Sequence, residues 1–386
     1  MEKTFPFGYN KRYQKGVFLF MIKPVLSNEM LKYITEIEKN RYKVSTVRLS
    51  KAVANRLRKN SKKKSSYASN KIEGNPLSEK QVDEVIDNDE RKHYLKPEQE
   101  VRNYFLALNY LEEKVRKKQS LTSQLILDVQ KFVEKGASKE KIGLRGPMPP
   151  GVLFAVYDSQ TGNPDYIPPE YCDIPELLDE LVEYVNTTDD HPLIVAAVVH
   201  YQLVTIHPFE DGNGRTARLI SGYILDLNGY GFNGIGSLEE YFAYDIDEYY
   251  ASLQMDLPAL YYSGRDNPPH PEIWINYFLR MVQLYSDKVC ELSEKSNEEG
   301  IAGSISFLKG KEKELLMLLI REHKQQFTPI EISREIGVTN KTVITRLSTL
   351  VKNGFVVPIM ANQRIRFYEL SEFTRHNEKE ILKAIQ

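Results

Sequence analysis

A mainly α-helical chain, interrupted by one β-hairpin and closed by a small α+β unit, is the fold this sequence predicts. Three observations carry that expectation. Apolar residues recur at three- and four-residue spacing in Met30-Leu31-Ile34-Ile37 and in Val101-Tyr104-Phe105-Leu108-Leu111, the period of one helix face. Glycine and proline break the rhythm between Gly143 and Pro169, where short extended runs flank a turn-rich segment. Behind a polar run from Ser293 to Gly303, helical patterns give way to two β-like runs.

Taken in order, residues 1–112 form an N-terminal helical region, with the pattern beginning at Asn28 and continuing to about Glu134. Residues 113–292 are the core. In it Val152 to Tyr157 and Tyr166-Ile167 pair as a hairpin around Asp158 to Asn163, and helices follow over Ile174–Val185, Leu193–Ile206, Thr216–Leu227, Tyr241–Met255 and Pro271–Leu292. Residues 293–303 read as a linker, because polar residues dominate them. In residues 304–386, helices over Glu314–Ile320, Ile330–Ile336 and Asn340–Lys352 precede strands over Phe355–Ile359 and Arg364–Leu370. Helix, helix, turn, helix and a two-stranded wing is the winged helix-turn-helix layout.

With 386 residues, of which 41% are hydrophobic and 27% charged, and a net charge of −1, the chain has no global attraction to nucleic acid or lipid. Any affinity for a charged partner is local. Cys172 and Cys290 match no metal or redox spacing, which predicts a reducing, cytoplasmic setting. The early run Val17 to Ile22 is too short for a signal-peptide core. Pro192 to Phe209 lacks formal charge but contains His200, Tyr201, Gln202, Thr205 and His207, so it predicts a buried central helix rather than a membrane span. No membrane partner is expected. His93, His191, His270, His323 and His376 have no ligand spacing, and the basic cluster Arg56 to Lys64 reads as a solvated helix face.

The chemistry concentrates in His207-Pro208-Phe209-Glu210-Asp211-Gly212-Asn213-Gly214-Arg215-Thr216-Ala217-Arg218, a loop feeding a helix N-terminus. Such a loop presents unpaired N–H groups and the positive end of the helix dipole, and Gly212 and Gly214 let a ligand approach the backbone. Arg215 and Arg218 lie near one face of the first turn, so a polyphosphate fits better than a monophosphate. Asp211 offers a hard oxygen to Mg2+, and His207 can accept a proton near neutral pH.

These residues resemble, position for position, the motif of the Fic family, His-Pro-Phe-x-Asp/Glu-Gly-Asn-Gly-Arg-x-x-Arg. The resemblance extends over about Asn28 to Leu284. Gly143-Leu144-Arg145, the hairpin and Tyr166-Ile167-Pro168-Pro169 resemble that family's flap, His200 to Leu203 the helix leading into its motif, and Tyr249-Tyr250 the aromatic residues it places near the nucleotide. What the resemblance implies is a Fic helical bundle that transfers AMP from ATP to a Ser, Thr or Tyr hydroxyl of a target protein. It makes His207 the base, Asp211 the Mg2+ ligand, Gly212, Asn213 and Gly214 the cradle of the α- and β-phosphates, and Arg215 and Arg218 the ligands of the β- and γ-phosphates. Phe209 anchors the loop, and the flap adds the target segment as a strand. Relatives that remove AMP, or use another phosphate-containing donor, keep those activities open as alternatives.

Ser69-Asn70-Lys71-Ile72-Glu73-Gly74 resembles the inhibitory motif Ser/Thr-x-x-x-Glu-Gly/Asn of Fic proteins that carry their inhibitor N-terminal to the core. Gly74-Asn75-Pro76 reads as a helix stop, which puts Glu73 in a last turn, where the dipole disfavours a carboxylate without a cationic partner. The resemblance makes Arg218 that partner. In the C-terminal unit, Asn340, Lys341, Thr342, Thr345 and Arg346 are polar enough to meet a major groove, and Arg364 and Arg366 to meet phosphates. From Ile305 onward 14 Lys and Arg stand against 9 Asp and Glu. DNA binding and protein contact, including homodimerisation, stay open for this unit, and with them the alternative of a DNA-binding regulator whose Fic fold only senses nucleotide.

Overall fold

The computed structural model describes residues 22, 25–49, 51–88, 91, 93–137, 142–152, 154–157, 164–257, 261–262, 268–324, 326–361 and 364–385. Its first half holds α1 (Asn28–Thr46), α2 (Lys51–Ile72), α3 (Glu79–Asp87), α4 (Lys96–Arg116) and α5 (Ser123–Glu134). Strands β1 (Val156–Tyr157) and β2 (Pro164–Ile167) follow, then α6 (Ile174–Thr187), α7 (Pro192–Ile206), α8 (Asn213–Leu227), α9 (Glu239–Phe242), α10 (Ile246–Gln254), β3 (Tyr261–Tyr262) and α11 (Pro271–Ser306). The chain closes with α12 (Gly310–Arg321), α13 (Pro329–Ile336), α14 (Asn340–Lys352), β4 (Val356–Ala361), β5 (Arg364–Leu370), α15 (Glu372–His376) and α16 (Glu378–Ile385). The fold is mainly α.

Helix starts follow local chemistry. Ser27, Thr122, Asp245, Thr328 and Thr339 each accept a hydrogen bond from a backbone N–H of the first turn, and Pro192 and Pro271 open α7 and α11, where no N–H partner is needed. Helix α7 is apolar on every side and buried almost throughout, so it can only be an axis of the fold. It packs on α6, α8 and α11, while α2 and α5 both reach α4 and α8, and α1 lies along α11. One hydrophobic cluster spans Ile22 to Val289, and a second spans Ile301 to Ile381.

Several elements differ from the sequence expectation. The hairpin's first strand is shorter than expected and its second longer, β1 and β2 pairing antiparallel through Val156 and Tyr166, and β3 joins β2 in parallel through Tyr261, a long-range pairing with no local signature. Its turn, Asp158 to Asn163, lies outside the described residues, as do Val17 to Met21. The helix expected over Tyr241–Met255 is split, because Asp245 caps a new start at Glu248 N (2.9 Å).

The run expected as a linker, 293–303, is helical inside α11. Polarity misled there: Ser293, Ser296 and Ile301 are buried, α16 packs against α11, and Asn297 Nδ2 donates to Asn377 Oδ1 (2.6 Å). Tertiary packing thus stabilises a segment whose composition alone is neutral. Among the described residues no helix is long and apolar enough to cross a membrane.

Candidate active site

Helix α7 ends on His207, whose left-handed backbone (φ 49°) turns the chain out of the helix while its N–H still reaches Leu203 O (3.2 Å). Phe209, 1% exposed, anchors the next step in the core and pairs with Leu144. Arg145 ties both ends: its N–H donates to Pro208 O (2.9 Å) and its Nε to His207 O (2.8 Å). Asn213 closes the loop, its Oδ1 accepting from Phe209 N (3.0 Å) and its Nδ2 donating to Phe209 O (2.9 Å). Gly212 (φ 81°) then starts α8, and its N–H donates to Asp211 Oδ1 (2.8 Å).

The imidazole of His207 is half-buried beside Phe154 and Tyr166. Its Nδ1 faces two oxygens, Tyr166 Oη (3.1 Å) and Val204 O (3.3 Å), and the Tyr166 hydroxyl itself donates to Val204 O (2.6 Å). That network assigns the proton to Nδ1 and makes Nε2 the basic nitrogen. Burial pushes the imidazole down to about 4, with the charge of Arg145 adding to the shift and Val204 O opposing it. The ring is therefore neutral at physiological pH.

Both arginines of the motif are buried, and each faces a carboxylate from outside the motif. Arg218 donates through Nη2 to Glu73 Oε1 (2.6 Å) and Ser69 O (3.0 Å), and through Nε to Ser69 Oγ (2.8 Å). Burial works against its charge, but Glu73 together with the Tyr249 and Tyr104 hydroxyls outweighs burial and holds the guanidinium above its ordinary value. Glu73 sits just past α2 in a turn closed by Gly74 (φ 79°), whose N–H bonds Lys71 O (3.0 Å). Arg215 Nη2 donates to Glu134 Oε1 (2.9 Å) and to Asp211 Oδ1 (3.2 Å). Burial pushes the Glu134 carboxyl above the usual range and Arg215 pulls it back.

The same two carboxylates cover the glycines. A side chain at Gly214 would collide with Glu73, and one at Gly212 would meet Glu134 Oε1 at 2.7 Å. Carboxylates thus lie where the positive end of α8 favours an anion. The pairing is incomplete: Arg215 Nε and Nη1 are buried with no hydrogen-bond partner among the described residues. Donors left unmade in this way are costly, and an anion with more oxygens than one carboxylate matches them.

Residues 120–225 match the Fic/DOC family. The chain carries a Fic domain. It is 30% identical over 171 residues to protein adenylyltransferase Fic of Nematostella vectensis, covering 42% of this chain and 37% of the relative. With protein adenylyltransferase Fic of Drosophila grimshawi it shares 27% over 204 residues, 51% of this chain and 40% of the relative. The chain therefore spans about two fifths of the length of these curated relatives. Among solved structures, a Fic family protein from Desulfovibrio desulfuricans G20 aligns at a TM-score of 0.57 and 19% identity over 90% of this chain and 98% of that one. Fic-1 from C. elegans aligns at 0.53 and 24% over 69% and 72%. These two support the fold.

Within the Fic domain, the structure brings His207, Asp211, Gly212, Gly214, Arg215 and Arg218 to one end of α8, with Ser69, Glu73 and Gly74 against it. The Asn213 side chain is committed to the loop, so what it can offer a phosphate is its backbone N–H. Tyr249 is 1% exposed, and its hydroxyl meets His200 Nε2 (2.8 Å) and Arg218 Nη1 (3.4 Å). It backs the arginine rather than offering a ring face, whereas Tyr250 is 48% exposed. Among the described residues no group of three or more His, Cys, Asp or Glu is placed to share a metal. A single hard carboxylate beside an anion cradle still fits Mg2+, which takes one or two protein oxygens and completes its shell with phosphates and water.

Glu134, Gln130, Arg145 and Tyr166 were given no individual role by the sequence. Gln130 links α5 to the loop, its Nε2 donating to Asp211 O (3.2 Å) and its Oε1 accepting from Gly143 N (3.1 Å). No local signal marks Glu134 or Gln130, which lie on α5, far from the motif in sequence. In the C-terminal unit Asn340, Lys341 and Thr345 are exposed, and Thr342, Thr345 and Arg346 border a cleft against the start of α12.

Proposed function

We propose that this chain is a protein adenylyltransferase that moves AMP from ATP to a protein hydroxyl and that Glu73 holds it in check. The observation that carries the reading is the end of α8. There a neutral histidine stands beside a glycine-lined helix N-terminus and two buried arginines, one with donors unmet. The adenylyltransferase relatives point the same way, although they match over part of their length.

In the proposed reaction, His207 Nε2 takes the proton of the target hydroxyl as that oxygen bonds to the α-phosphorus of ATP. The bond from that phosphorus to the bridging oxygen breaks, and pyrophosphate leaves. Backbone N–H groups of Gly212 to Gly214 receive charge at the phosphates, and Arg215 and Arg218 bind the β- and γ-phosphates. Mg2+ held by Asp211 would neutralise the leaving group when bound. Phe154 and Tyr166 restrict water around the base. The Glu73 carboxylate on Arg218 occupies the γ-phosphate position, so ATP binds poorly or with its α-phosphate out of line.

Incubation with α-phosphate-labelled ATP tests the reaction. Label on protein that disappears in His207→Ala supports it, whereas label from the γ-phosphate but not the α-phosphate would make the chain a kinase-like enzyme instead. A second reading makes residues 304–386 a winged helix-turn-helix that binds DNA, with the Fic fold as nucleotide sensor. It rests on the exposed Asn340, Lys341 and Thr345 at the start of α14, and selective binding of a DNA duplex with no label transfer would favour it.

A further inference from the structure

Behind the anion cradle, between α2, α4, α8 and the segment leading to α9, lies a cavity of about 550 Å³. That volume is in the range of small-molecule sites. Of the motif residues only Arg218 reaches it. Its walls are largely apolar and aromatic, with Leu108, Leu111, Leu225, Phe232, Phe242 and Tyr285 among them. Asp226, on the last turn of α8, is exposed to this space.

The charges around Asp226 can be followed element by element. On α2, Arg58 Nε donates to Asn233 O (2.8 Å), and Lys62 bonds Asn109 Oδ1 (2.6 Å) and Glu112 Oε2 (2.5 Å). On α4, Glu112 is shared between Lys62 and Arg116. Arg218 is held by Ser69 and Glu73. At α9, Glu239 accepts from the Tyr104 hydroxyl (2.8 Å) and from Ser237 Oγ (3.2 Å). Behind the segment, Tyr230 donates to Glu38, which also pairs with Arg41. Tyr223 donates to Gln119 O, and Tyr285 Oη donates to Gly231 O (3.3 Å). Lys62, Arg116 and Arg218 thus pair with other carboxylates and Arg58 bonds a carbonyl, and among the described residues no salt bridge joins Asp226 to a cation.

We infer that this cavity is a binding site for a small organic cation, an amine or amidine on a flat apolar body, with Asp226 as its counter-ion. A carboxylate facing apolar walls is stabilised most by a cation that brings its own hydrocarbon surface. Phe232, Phe242 and Tyr285 line the same space and supply apolar surface for the body of such a ligand. An inorganic cation would find in Asp226 one carboxylate without a partner, since Glu112 and Glu239 are engaged by Lys62 and Arg116 and by Tyr104 and Ser237. Desolvation by the cavity walls, with Glu239 and Glu112 adding to it and Lys62 opposing, pushes the Asp226 carboxyl up to about 7. Binding of a permanent cation should therefore strengthen as pH rises through that value. Ser61 and Ser65 of α2 also border the cavity, on the helix that carries Ser69.

The test is titration calorimetry on the full chain with benzamidine, its neutral analogue benzamide and the anion benzoate. Benzamidine is expected to bind saturably at pH 8 and about tenfold more weakly at pH 6, the ratio of ionised Asp226 at the two pH values. Benzamide and benzoate are expected to bind weakly or not at all. Asp226→Asn should reduce benzamidine binding at least tenfold while keeping the side-chain shape.

Gly222→Leu is an independent check, since Gly222 borders the cavity and a side chain there meets nothing within 4 Å; it should abolish binding by filling the space. Three results would overturn the inference: no saturable benzamidine binding, equal binding by Asp226→Asn, or preference for benzoate. None of these readouts depends on AMP transfer, so failure here leaves the proposed enzyme activity standing, and the reverse also holds.

Discussion

Replacing Asn213 by alanine separates a loop clamp from a nucleotide ligand. The side chain makes two hydrogen bonds to one buried residue, accepting from Phe209 N at 3.0 Å and donating to Phe209 O at 2.9 Å. Alanine removes both partners, and with Phe209 1% exposed, water has poor access to the groups left behind. Each unmade buried group costs about 1–3 kcal/mol, so a destabilisation of roughly 2–6 kcal/mol is expected. In calorimetry this is a fall in unfolding midpoint of about 4–12 °C.

The loop also positions His207, and a displaced base can cost about a hundredfold in rate. Turnover should therefore drop while KM for ATP changes little, because the N–H groups of Gly212 to Gly214 remain. Asn213→Asp keeps an acceptor for Phe209 N and loses the donor, so it should fall between parent and alanine variant. An alanine variant with the parent's midpoint and only a raised KM would refute the clamp and make the side chain a nucleotide contact.

Asp211→Ala should abolish AMP transfer with a small loss of stability, since the residue is partly exposed and its bonds to Gly212 N and Arg215 are local; retained activity would remove it as the Mg2+ ligand. With the His207 imidazole held at about 4 rather than 6.5, the acid limb of kcat/KM should lie near 4, and a limb near 6.5 would show that the ring is not shielded. The same shift means that the unfolded chain binds the proton first. The stability contributed by neutral His207 is thus lost as pH falls from 6.5 towards 4. Glu134→Gln keeps an acceptor for Arg215 but removes a charge facing the phosphates, so ATP should bind roughly five- to tenfold more tightly in calorimetry, about 1 kcal/mol; weaker binding would make Glu134 part of the nucleotide site.

The helical fold was legible because α7 is apolar throughout while its neighbours carry their burial pattern in local spacing. The segment His207 to Arg218 was legible because its chemistry is contiguous. Contiguity also marks the limit of that reading. Glu134 reaches Arg215 from α5, and nothing in an amphipathic helix distinguishes a carboxylate turned inward from one in solvent. Residue type did not say whether Asn213 would use its side chain on the loop or on a ligand, nor that Tyr249 would face Arg218 with its hydroxyl. The run 293–303 was misread because its helix is stabilised by α16, a contact invisible in composition. Strand β3 depends on pairing across almost a hundred residues of chain, for which two tyrosines give no signal.

The contact between Glu73 and Arg218 is where structure and proposed activity meet. Arg218 keeps two hydrogen bonds to Ser69 when Glu73 is removed, so Glu73→Gly should fold and leave the guanidinium in place for the γ-phosphate. The decisive measurement is protein labelling from α-phosphate-labelled ATP by the parent, Glu73→Gly and the double variant Glu73→Gly/His207→Ala at saturating Mg-ATP. The account expects strong auto-modification by Glu73→Gly, little by the parent and none by the double variant. Labelling by the double variant, or no gain in Glu73→Gly with its target protein present, would contradict it.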